Sequence, residues 1–199
     1  ETINNGVSNE QKNGDDGNKT TTTTMEKKRE LILRRICAAI LSKEASKVRS
    51  LMECVPYKSL FPDSTPPHTF VYQGRSILYF AAGVGDESIV KYICERHPAL
   101  LHHPTVYGAC PLTWAAYNGQ LDSVKVLLEK GCDVNQKGEY EETALIAACC
   151  QGHLAVVQCL LAQSNVDICK RDLDGKTALF RAAIGNHSEI VDILKRRKS

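Results

Sequence analysis

The chain has 199 residues, a formal net charge of +2 and 43% hydrophobic residues. That is enough apolar material for a sizeable core, and too little net charge to demand nucleic acid or an anionic surface as partner. No apolar run approaches the roughly 20 residues that span a bilayer, so no membrane partner is expected.

Residues 1–24 are polar, lack aromatic side chains and end in a run of threonines. Such a segment buries too little surface to offset its ordering entropy and is expected to be a disordered tail or linker. Met25 is a candidate native start. Residues 25–55 read as a pair of helices: Leu31, Ile36, Ala39 and Ile40 form one apolar stripe, and Val48, Leu51 and Met52 another. Residues 56–71 follow, with four prolines in "PYKSLFPDSTPPHTF", which exclude a continuous helix and predict an extended loop.

From residue 72 the sequence repeats. The segments "GRSILYFAAGVGDESIVKYIC", "GACPLTWAAYNGQLDSVKVLL", "EETALIAACCQGHLAVVQCLL" and "GKTALFRAAIGNHSEIVDILK" align so that Ser76, Cys110, Thr143 and Thr177 are spaced by 34, 33 and 34 residues. A period in this range marks a stacked solenoid. Three columns are invariant: Leu78, Leu112, Leu145 and Leu179; Val90, Val124, Val157 and Val191; Ala81, Ala115, Ala148 and Ala182. Ser76, Thr143 and Thr177 have hydroxyls that can cap a helix N-terminus, and Pro111 suits a first helical position. Gly85, Gly119 and Gly152 fall where a tight turn needs positive φ, with Asn186 in the fourth unit. Each unit therefore predicts helix, turn, helix and extended finger, in units of about 72–105, 106–138, 139–172 and 173–199.

"GACPLTWAAYNGQLDSVKVLLEKGCDVNQ" resembles an ankyrin repeat in its helix start, its central glycine and its "LLEKGCDVN" close. The resemblance implies an all-α ankyrin-repeat solenoid. Tyr79, Thr113, Ile146 and Phe180 stand where the family carries histidine, and Glu141 occupies a fingertip glycine position. Residues 25–55 fit the template with a shift of 76, which makes them a degenerate N-terminal capping unit. Lys195 replaces a stacking leucine of the second helix, which predicts a polar end to the array.

In such a stack the first helices and the fingers line a concave groove. The register points Phe80, Trp114, Ala147 and Arg181 toward it, with Gly83, Tyr117, Cys150 and Ile184 beside them and Tyr72, Tyr107 and Tyr140 at the fingertips. Six of the twelve aromatic residues fall on this strip, although the leucine, valine and alanine columns already supply a core. Large rings at the variable positions of a rigid scaffold suit a binding hot spot. Tyr72, Phe80, Tyr107, Trp114, Tyr117, Tyr140 and Arg181 are the predicted contacts for a protein or peptide ligand.

No nucleotide-binding or zinc-protease motif occurs, and no cofactor, metal or small-molecule substrate is expected. Cys149, Cys150 and His153 have ligand-like spacing, but their columns assign them to the repeat framework. The Lys195–Lys198 run suits the negative end of a helix dipole, which leaves nucleic-acid binding the least favoured reading. Nine cysteines is an odd number, and Cys37, Cys94 and Cys159 lie in apolar helical patterns. Buried free thiols in the cytosol or nucleus are therefore expected. The resemblance further implies Asn135 as a possible hydroxylation site. A non-catalytic interaction module is the leading expectation, and a regulatory segment of a larger enzyme the alternative.

Overall fold

The computed structural model describes residues 16–62, 70–102 and 108–198. Helices α1 (Asp16–Leu41) and α2 (Ala45–Glu53) lead into a short α3 (Val55–Leu60) and a two-residue hairpin, β1 (Val71–Tyr72) and β2 (Arg75–Ser76). Four helix pairs follow: α4 (Ile77–Val84) with α5 (Glu87–Arg96), α6 (Pro111–Tyr117) with α7 (Leu121–Glu129), α8 (Ala144–Gln151) with α9 (Leu154–Leu161), and α10 (Ala178–Ile184) with α11 (Ser188–Lys198). Helices α1, α4, α6, α8 and α10 stack as an inner row, and α2, α5, α7, α9 and α11 as an outer row. The result is an all-α solenoid.

Local chemistry starts and stops each pair. The hydroxyls of Ser76, Thr143 and Thr177 accept from the amides of Tyr79, Ile146 and Phe180, satisfying an otherwise orphaned donor in each first turn. Pro111 opens α6 without needing a donor. Gly85, Gly119 and Gly152 turn the chain at φ 84°, 69° and 78°, and Asn186 takes the same conformation at 58°, a region it tolerates better than most residues.

The core follows the invariant columns. Leu78, Leu112 and Leu145 are buried, as are all four column alanines and Val90, Val124 and Val157. Each large apolar side chain so enclosed contributes about 1.5–3 kcal/mol. The small alanines let adjacent inner helices approach. In the fourth unit Leu179 and Val191 are only half-buried. Phe180 is 42% exposed, whereas Tyr79, Thr113 and Ile146 in the same column are 7%, 4% and 3% exposed. Interior units cover this column with the next layer, and the fourth has no such cover among the described residues. Lys195 is exposed in α11, next to buried Leu194.

Three expectations need correction. The N-terminal stripe does not include Leu31, which is 58% exposed; Leu33, Ile36, Cys37 and Ile40 are buried instead. Those four follow helical spacing of three, four and seven, which orients α1 onto α4 and leaves Leu31 on the far side. Helix α1 also begins at Asp16, inside the segment expected to be disordered, because extending a helix already anchored at Leu33–Ile40 costs no new nucleus. The loop at 56–71 opens with α3, where Pro56 stands in the first turn, a position that needs no amide donor. Residues 63–69 of that loop lie outside the described residues.

Candidate functional site

The inner helices and the fingers enclose a groove of about 810 Å³. Its floor carries a ladder of rings. Tyr79 of α4 stacks on Trp114 of α6 with centroids 5.0 Å apart and planes within 11°, and Trp114 stacks on Tyr117 at 5.4 Å and 7°. Phe80 meets Tyr79 edge-on at 5.8 Å. Each such pair adds about 0.5–1.5 kcal/mol beyond area burial. Gly83 makes the ladder possible: a Cβ there would lie 2.2 Å from Trp114 Nε1, so only a glycine lets the indole rest on α4. Trp114 is left half-buried, with its edge open to the groove, and Tyr117 is 43% exposed.

Most predicted contacts come together here. Phe80, Trp114, Tyr117, Tyr140 and Arg181 all line the groove, as do Ala147 and Cys150. Tyr140 stands 64% exposed on its finger, beside Leu173 at 71%, whose amide bonds the Tyr140 carbonyl. Tyr72 does not line the cavity; it packs behind Phe80 at 6.3 Å, because the tight hairpin turns it back onto α4. Tyr107 lies outside the described residues. Arg181 reaches the groove with its charge already engaged: Nε and Nη2 donate to Asp172 and Asp174, each at 2.6 Å. Against burial, which raises it, the Arg181 hydrogen bond and the Lys176 amide hold the Asp172 carboxyl below its ordinary range.

Asp172, Asp174 and Leu173 were not predicted, and neither were four further participants. Tyr79 supplies the first ring of the ladder although it is only 7% exposed. Arg75 lies over that ring at 5.3 Å and bonds Glu139 of a distant finger at 2.9 Å. Glu142 faces the same cavity, and burial pushes its carboxyl above the usual range, with Glu139 and Asp172 adding to the effect. One sequence signal was present: Gly83 occupies a column that holds Tyr117, Cys150 and Ile184 elsewhere, and so small a residue there leaves room for a neighbour's ring.

His153, which has ligand-like spacing in the sequence, is part of the framework, as is His187. His153 Nε2 donates to the Tyr117 carbonyl at 3.0 Å and His187 Nε2 to the Cys150 carbonyl at 3.2 Å, tying successive inner helices together. Cys149 is fully buried. Burial pushes the thiols of Cys37 and Cys149 to about 12 and that of Cys94 to about 11, which removes their thiolates at neutral pH. Asn135 bridges two loops, its amide donating to the Asn165 carbonyl at 2.7 Å and accepting from the Asp167 amide at 2.8 Å.

The profile for ankyrin repeats in three copies matches residues 36–138 and 136–198. The chain is an ankyrin-repeat protein. The match begins at Ile36 and so takes in the C-terminal end of α1 and all of α2, the pair read as a degenerate first unit. The array is similar to a probable E3 ubiquitin-protein ligase of Oryza sativa subsp. japonica, XBOS33, at 44% identity over 108 residues, 53% of this chain and 21% of that protein. It is also similar to the Arabidopsis thaliana E3 ubiquitin-protein ligase XBAT33, at 37% over 119 residues, 59% of this chain and 23% of the relative. Ankyrin repeat and SAM domain-containing protein 6 of Rattus norvegicus matches at 34% over 131 residues, 64% of this chain and 15% of the relative. The chain thus spans less than a quarter of the length of each. Ankyrin repeats are non-catalytic modules for protein–protein interaction.

Proposed function

We propose that this array is a recognition module, serving as an adaptor or scaffold, that holds a peptide or protein partner in its concave aromatic groove. The observation that carries the reading is the Tyr79–Trp114–Tyr117 ladder. Its rings are fixed by mutual stacking and by the gap over Gly83, so little side-chain entropy remains to be lost when a ligand binds. The exposed Tyr140 and Leu173 extend the apolar strip along the fingers.

Random peptides displayed on phage and selected on the full chain provide a ligand for the test. Trp114→Ala/Tyr117→Ala is expected to weaken the selected peptide by about 2 kcal/mol or more, roughly thirtyfold, while leaving helical content unchanged. Undiminished binding would retire the groove as the site. A second reading, favoured by the two plant relatives, makes the array a recognition segment of a longer ubiquitin-protein ligase. Ubiquitin transfer by the full-length reading frame, abolished when sequence outside the array is removed, is the result it requires. All nine cysteines are free and five of them buried, which supports a reducing compartment, the cytosol or the nucleus.

A further inference from the structure

The groove carries charge as well as rings, and the charge is unevenly matched. At one end Arg75 is tied to Glu139; at the other Arg181 is tied to Asp172 and Asp174. Between them stands Glu142. It accepts from the Tyr140 amide at 2.6 Å, and no lysine or arginine among the described residues pairs with it. The groove lining therefore holds two more carboxylates than guanidinium groups. Glu142 also lies close to the ring ladder. A Cβ on Gly138 would sit 2.8 Å from Glu142 Oε1 and 2.9 Å from Thr113 Cγ2, so the carboxyl and the first turn of α6, the helix that carries Trp114 and Tyr117, flank the same point of the groove wall.

We propose that the groove takes a peptide segment bearing an arginine, whose guanidinium pairs with Glu142 while its flat face lies against Tyr117, the exposed end of the ring ladder. This rests on the groove being the binding site. A purely apolar occupant would cover Glu142 further without offering it a counter-charge, which is costly. An acidic occupant would meet Glu139, Glu142 and Asp172 together. Arginine answers both features: a planar cation that stacks on aromatic faces, and a fork of donors that matches a carboxylate. A cation at this point would complete an alternation along the groove, with an arginine facing a carboxylate at each end and in the middle.

Trp114 is the only tryptophan in the chain, so its emission reports directly on the site. The full chain is titrated with three pools of capped hexapeptides, randomised except for one position fixed as arginine, citrulline or glutamate. Citrulline keeps the shape of arginine without its charge. The arginine pool is expected to change Trp114 emission saturably and to bind about tenfold or more tighter than the citrulline pool, with the glutamate pool weaker still. Glu142→Gln, which keeps an acceptor for the Tyr140 amide, should erase the preference for arginine over citrulline. Equal binding of arginine and citrulline pools to the unaltered chain, or a preference for glutamate, overturns the inference whatever the variant does. If Tyr117→Ala still weakens such binding, the groove reading survives and only the arginine falls. If no pool moves the emission, both fall.

Discussion

Gly83→Ala tests the ring ladder without touching a ring. A methyl at this position would lie 2.2 Å from Trp114 Nε1 and 2.5 Å from Cδ1, far inside contact distance, so the indole must swing away. Position 83 lies in the last turn of α4, and alanine there should add up to about 1 kcal/mol through helix propensity. Against this stand the two stacked pairs that Trp114 makes, together about 1–3 kcal/mol. With the full propensity gain, the net expectation runs from no change to about 2 kcal/mol of destabilisation, read from urea unfolding. The decisive readout is Trp114 itself: red-shifted emission and faster acrylamide quenching, with helical content preserved, and weaker capture of any groove ligand. Unchanged emission together with a stability increase of up to about 1 kcal/mol would mean that the indole does not rest on Gly83.

Three other expectations follow from particular residues. Glu141 holds φ 57° at a fingertip and its exposed pair with Lys137 is worth little, so Glu141→Gly should raise stability by roughly 0.5–1 kcal/mol in urea melts; a loss would contradict the strain. Asp172 is depressed by Arg181 and backbone amides despite its burial, so its contribution is present above the ordinary aspartate range and lost as pH falls through its folded value. Asp172→Asn should therefore be less stable at neutral pH by about 1–3 kcal/mol and show a shallower loss on acidification, measured as unfolding midpoints across acidic pH; parallel profiles would count against the pair. Thiol labelling of the native chain should mark exposed Cys150 and Cys169 first and spare buried Cys37, Cys94, Cys110, Cys132 and Cys149 until denaturant is added. Early modification of any of these five, seen by peptide mass mapping, would refute the burial.

The sequence alone determined the architecture, because a repeat writes the same packing problem several times and the common solutions stand out as columns. Leucine, valine and alanine recur where layers touch, a hydroxyl where a helix begins, and glycine where the chain must reverse with positive φ. Those are local or nearest-neighbour requirements, and they also gave the register that placed Phe80, Trp114, Tyr117 and Tyr140 on one wall. The N-terminal unit was harder to read: with a single degenerate copy and no column to check it, Leu31 was placed on the apolar stripe, whereas the packing of α1 onto α4 buries Leu33.

The tertiary structure decided which groups meet across units. Arg75 reaches Glu139 over 64 residues of chain, Tyr79 finds Trp114 in the next layer, and Arg181 gives its charge to Asp172 and Asp174 instead of leaving it for a ligand. None of these is a property of a column, because each depends on the distance between side chains that the sequence holds far apart. A groove's charge balance is likewise a sum over neighbours in space, and only folding brings those neighbours together.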